Sequence, residues 1–126
     1  MKILPIVSLL AVSMSFTSCG NKIDYSSSPY IGANGSSYVA TAGSGDNFRT
    51  MQFFFYPDGY GAWGSTRIVD DETKVVALYE YDFTISGEVN VEMIQREDKV
   101  KIFGYFTTNM YGQVFVSSDI LFYRSK

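Results

Sequence analysis

The sequence predicts an all-β domain, an antiparallel up-and-down meander that forms a small barrel or half-barrel, and three observations predict it. Aromatic residues make up 17% of the 126-residue chain, ten Phe and ten Tyr among them, and most fall after Tyr38. Together with the β-branched residues they suit a pleated, half-buried surface. Apolar and polar residues alternate in short runs, most clearly where Tyr79, Tyr81, Phe83 and Ile85 interleave with Glu80, Asp82 and Thr84. Turn-forming clusters separate these runs at roughly 8–12 residues, the spacing of hairpins in a barrel or sandwich. No segment after residue 37 keeps a helical period over three turns.

Two segments precede the domain. Residues 1–18 carry one charge, Lys2, followed by an uncharged stretch from Ile3 to Phe16. That stretch is shorter than the ~20 apolar residues a spanning helix needs. It fits the apolar region of an export signal, roughly 7–15 residues long. Cys19 follows Thr17 and Ser18 and is the only cysteine, so no intramolecular disulfide can form. A lone thiol at a new N-terminus is explained if it carries acyl chains, each buried CH₂ of which contributes about 0.8 kcal/mol of membrane affinity. Residues 19–37 are rich in Ser, Gly and Asn and are expected to be mostly a flexible tether. Residues 38–126 form the domain.

Within the domain, Phe48 to Tyr56 is expected as a strand. Phe53, Phe54 and Phe55 give it bulk on both faces, so it is buried on both sides or meets a partner on one. Pro57-Asp58-Gly59 turns the chain, Pro fixing φ and Gly supplying a positive φ. Tyr60 to Thr66 returns as the hairpin partner, and residues 67–73 form a charged turn around Asp70-Asp71-Glu72. The alternating strand of Tyr79 to Ile85 turns at Ser86-Gly87-Glu88 into a second one, Val89, Val91 and Met93 on one face. Gln95 to Lys99 turns into Val100 to Thr108. Val114 to Val116 and Ile120 to Arg124 close the chain. Four large residues on one short strand predict a packed interior, with Glu80, Asp82 and Glu92 facing solvent.

Charge and composition exclude several functions. Residues 1–18 remove only Lys2 among charged groups, which leaves nine Lys and Arg against thirteen acids, a net charge of −4. No basic stripe exists, so nucleic acid is not expected as a partner. The chain has no His, which removes the commonest general base and metal ligand. Ser-His-Asp and Cys-His catalysis are thereby excluded, and zinc, haem and copper lack ligands. No phosphate-binding glycine motif is present. Glu80 and Asp82 share one strand face about 7 Å apart, but any i, i+2 pair does, and a solvated polar face accounts for them. Asp70-Asp71-Glu72 lacks the spaced oxygen pattern of a calcium loop. No catalytic, cofactor-binding or metal-binding residue is expected, and the domain is expected not to be an enzyme.

Two sets of motifs resemble a known group. Phe16-Thr17-Ser18-Cys19-Gly20-Asn21 resembles the relaxed lipobox of Bacteroidetes lipoproteins. Phe54-Phe55-Tyr56-Pro57-Asp58-Gly59-Tyr60-Gly61, Tyr81-Asp82-Phe83-Thr84-Ile85-Ser86-Gly87 and Asp119-Ile120-Leu121-Phe122-Tyr123 are similar to segments of small lipocalin-like lipoproteins of that phylum. At the first strand Gly35-Ser36-Ser37-Tyr38 stands where lipocalins carry G-x-W. The resemblance implies a lipocalin-like barrel and an outer-membrane address, lipid-anchored through Cys19 and facing periplasm or cell surface.

The remaining candidates are aromatic. Tyr56, Tyr60 and Trp63 flank the Pro57-Asp58-Gly59 turn, and such faces stack on sugar rings or hold partner proteins as readily as they pack a barrel. The expected role is therefore a lipid-anchored binding or protein-interaction module, with a carrier of a small apolar or glycan ligand in a barrel cup as the alternative. A cavity of about 300 Å³ or more favours the carrier.

Overall fold

The computed structural model describes residues 23–125, so residues 1–18, expected as an export signal, and Cys19 lie outside the described residues. Eight strands run in chain order around one closed antiparallel barrel. They are β1 (Ser36–Ala42), β2 (Arg49–Phe55), β3 (Tyr60–Val69), β4 (Glu72–Ser86), β5 (Asn90–Gln95), β6 (Lys101–Asn109), β7 (Gly112–Ser117) and β8 (Ile120–Arg124). β1 pairs with β8 through Tyr38 and Arg124, and Val39 and Tyr123, which leaves no free sheet edge and excludes the half-barrel. A three-residue 3₁₀ turn, Gly45–Asn47, joins β1 to β2.

The turn chemistry explains the meander. Asp70 and Asp71 both have positive φ (51° and 64°), as do Ser118 and Asp119 (52° and 63°). Two successive positive φ values make the tight turn whose twist matches that of the flanking strands. The charged turn is consequently shorter than the seven residues expected. β3 continues to Val69 and β4 starts at Glu72, so the hairpin reaches further than its apolar residues alone indicate. Val76 has no partner between the Ser65–Ala77 and Thr66–Val75 pairs, and this bulge bends the outer part of β4.

Alternation sorts the side chains into an interior and an exterior. Inside, Phe53, Phe55, Tyr81, Phe83, Phe106 and Phe115 are all buried. Phe55 meets Phe83 and Phe115 edge to face, at 5.2 Å and 4.8 Å, and stacks on Phe53 at 6.1 Å, arrangements that aromatic pairs favour. Val91 and Met93 share this interior while Asp82 is exposed and Glu80 and Glu92 are partly so, the register expected from the period-two signal. Outside, Phe54, Tyr60 and Ala62 form a second buried cluster with Tyr56 and Leu78 against it. β2 is thus buried on both faces.

The tether expectation is corrected for residues 23–37. Ile31 is fully buried in the interior cluster, and Tyr25 and Tyr30 pack against it. Tyr25 stacks on Phe83 at 5.5 Å, its N–H donates to the Pro57 carbonyl at 2.7 Å, and its hydroxyl accepts from the Ile85 N–H at 2.9 Å. Tyr30 stacks on Phe106 at 5.1 Å. The Tyr38 hydroxyl donates to the Tyr30 carbonyl at 2.6 Å, and the Arg124 guanidinium donates to the Pro29 carbonyl at 2.7 Å. Three apolar residues among many small polar ones suffice, because each enters a ready-made gap at one barrel end. This segment is a plug, and β1 begins two residues before Tyr38.

Candidate functional site

The plug closes the barrel end that carries the turns β2–β3, β4–β5 and β6–β7. The opposite end, with the turns β3–β4, β5–β6 and β7–β8, is open. A cavity of about 450 Å³ enters the barrel there, between Met51, Phe53, Trp63, Tyr79, Ile102 and Phe122. Its volume falls in the range of small-molecule sites. The expectation of a packed face is therefore corrected at Tyr79. Tyr81 and Phe83 fill the plugged half, but Tyr79 sits one step nearer the mouth and remains 42% exposed. The barrel is packed at one end and hollow at the other.

The elements place each wall residue. Trp63 on β3 lies directly opposite Phe53 on one side and Tyr79 on the other. Its ring centroid is 5.6 Å from that of Tyr79 at 34°, and 6.4 Å from that of Phe53 at 59°. The two outermost rings form one continuous aromatic wall. Facing it are Ile102 of β6 and Phe122 of β8. Polar groups gather at the rim, where Gln95, Asp98, Ser117 and Ser118 line the cavity. Two of these are already engaged. The Ser117 hydroxyl donates to the Phe103 carbonyl at 2.9 Å, and the Asp98 carboxylate accepts from the Val100 N–H at 3.3 Å within its own turn. Gln95 takes no part in any of these bonds, and its carboxamide is available to a guest.

Comparison with known proteins finds no matching family model, no matching curated protein and no matching solved structure.

The three aromatic candidates do not form one site. Trp63 points inward and walls the cavity. Tyr56 and Tyr60 stack on each other at 6.0 Å on the outside of the barrel, and the Arg96 guanidinium lies 4.8 Å above the Tyr60 ring. Burial pushes the Tyr60 phenol well above its ordinary value, and the neighbouring Glu80 adds to the shift. Tyr60 is fully buried in the outer cluster with Phe54 and Ala62. Sequence reasoning missed Met51, Phe53, Tyr79, Ile102 and Phe122 as site residues. The signal was present in part, since pairing β2 and β3 around Pro57-Asp58-Gly59 puts Phe53 beside Trp63. Which end of the interior stays empty depends on the plug, which pattern does not reveal.

Glu80 and Asp82 project outward from β4. Asp82 pairs with Arg96 at 2.9 Å on the exterior, where both groups remain partly solvated. Neither carboxylate lines the cavity. Among the described residues no group of three His, Cys, Asp or Glu side chains converges on a metal site.

Proposed function

We propose that this protein is a lipid-anchored, non-enzymatic binding protein that holds a small, largely apolar ligand in the open end of its barrel. The observation that carries this reading is the cavity of about 450 Å³ walled by Trp63 and Tyr79, at the end opposite the plug. An apolar pocket with a few polar groups at its rim is the usual form of a ligand site. The Gln95 carboxamide offers N–H donors and a carbonyl acceptor for orienting a guest.

The plug also supports an orientation. Ile23 lies against the turn at Gly59, at the plugged end. Cys19 is four residues earlier, a span of at most ~14 Å. An acylated Cys19 holds the plugged end near an outer-membrane leaflet and points the mouth away from it.

Native mass spectrometry of the chain released from its own envelope tests the reading. The expected result is a bound small-molecule mass that disappears in Ile102→Trp, whose indole fills the cavity. A bare mass for the wild-type chain would go against it.

A second reading, a protein-interaction module, is favoured by the outside of β6–β8. Phe103 is 61% exposed, and Tyr105, Leu121 and Tyr123 beside it are also exposed. Monomers rarely leave such an apolar strip uncovered. Phe103→Asp separates the readings, because it abolishes partner capture and leaves a cavity ligand in place.

A further inference from the structure

The open end of the barrel carries a lateral row of three cations. Arg49 on β2 lies directly opposite Arg67 on β3, and Arg67 lies directly opposite Lys74 on β4. Directly opposed residues share a sheet face, and like charges so placed destabilise the sheet. The shared face is the inner one. Arg49 is two residues from Met51 and Arg67 is four from Trp63, so by alternation they stand on the side that walls the cavity. The row therefore lies one inward step, about 7 Å, outside Met51.

Compensation within the chain is slight. Lys74 has Glu72 at 3.5 Å, with both side chains more than half exposed. No carboxylate of the described residues forms an ion pair with Arg49 or Arg67. Asp70 and Asp71 lie further out, at the hairpin tip. Glu97 and Asp98 of the β5–β6 turn and Asp119 of the β7–β8 turn also stand at this end, but on strands away from the row, and the Asp98 carboxylate accepts from the Val100 N–H. An acidic chain with thirteen carboxylates sets three cations side by side above an apolar cavity.

Resting on the cavity as a ligand site, we propose that Arg49, Arg67 and Lys74 are its head-group site, and that the ligand is an anionic amphiphile. Its apolar body enters between Phe53, Trp63, Ile102 and Phe122. Its carboxylate or sulfate stays at the mouth, where the planar Arg forks donate paired hydrogen bonds to its oxygens. A neutral apolar molecule of the same shape gains the wall and forgoes the row.

Trp63 is the only tryptophan and stands in the wall, so its emission reports occupancy. The full chain in phosphatidylcholine vesicles is titrated with decanoate and with decanol at mildly alkaline pH, for wild type and for Arg49→Gln/Arg67→Gln. Both ligands are expected to shift Trp63 emission saturably in wild type. Decanoate affinity is expected to fall by about tenfold or more in the variant, with decanol unchanged as the control for an intact cavity. In wild type alone, added salt is expected to weaken decanoate and leave decanol unaffected. Salt-independent decanoate binding, or equal decanoate affinity in a variant that still binds decanol, overturns the head-group site and leaves the cavity reading standing. No response of Trp63 to either ligand overturns the cavity reading as well.

Discussion

Tyr81 lies across Gly61, its directly opposed partner on β3, and its hydroxyl donates to the Phe54 carbonyl one strand further on at 2.9 Å. A Cβ on Gly61 would stand 2.4 Å from Tyr81 Cε1 and 2.4 Å from the Phe54 oxygen. The ring that fills the barrel's centre needs a glycine beneath it.

Gly61→Ala is therefore expected to destabilise the domain by about 1–3 kcal/mol or more, the usual cost of overpacking a filled core. Urea unfolding followed through Trp63 measures it. A change within about 0.5 kcal/mol, as at an ordinary surface position, would show that the ring can shift at no cost.

Ile31 distinguishes a plug from a tether. As a buried member of the interior cluster, it should cost about 2–5 kcal/mol when replaced by Ala. Unfolding of Ile31→Ala at equilibrium gives the number, and a wild-type midpoint would return residues 23–35 to the role of a tether.

The Tyr60 hydroxyl is buried with no hydrogen-bond partner. Leaving such a group unsatisfied costs about 1–3 kcal/mol. Tyr60→Phe removes it and keeps the ring under Arg96, so thermal melts should show a neutral or stabilising change. A clear loss of stability would mean that the hydroxyl is in fact satisfied.

Much of this fold was legible in the residues themselves. The alternation from Tyr79 to Ile85 fixed the inner face of β4, and the Asp-rich and Gly-rich turns fixed the meander. The triple Phe offers a strand buried on both sides or one with a face against a partner, and the burial of Phe54 with Tyr60 and Ala62 decides for the first. The plug was not legible. Tyr25, Tyr30 and Ile31 have no period, and their burial depends on gaps that exist only once the barrel has closed. The cavity was hidden for the same reason, because Tyr79 shares a face with Tyr81 but not its depth. The cation row becomes visible only with the β2–β3–β4 register, since Arg49, Arg67 and Lys74 are far apart in the chain.

Alkali should unfold the domain. Burial pushes the Tyr38 phenol up to about 12, and it raises those of Tyr60 and Tyr81 as well. A folded-state value above the unfolded one favours folding fully at low pH. As pH rises from about 10 towards 12 the unfolded chain releases protons that the folded chain retains, and stability falls. Melting temperature against pH, with tyrosinate absorbance recorded alongside, should show late-titrating tyrosines ionising together with unfolding. A melting temperature that stays level across that window would contradict the burial of these phenols.

The most direct measurement is the position of a heavy-atom ligand in a crystal of the chain grown with 10-bromodecanoate. The predicted result is a bromine peak inside the barrel among Phe53, Trp63, Ile102 and Phe122, with the carboxylate at Arg49 and Arg67. A bromine found only on the outer surface, over Phe103 and Tyr105, or an empty barrel at saturating ligand, would contradict the account.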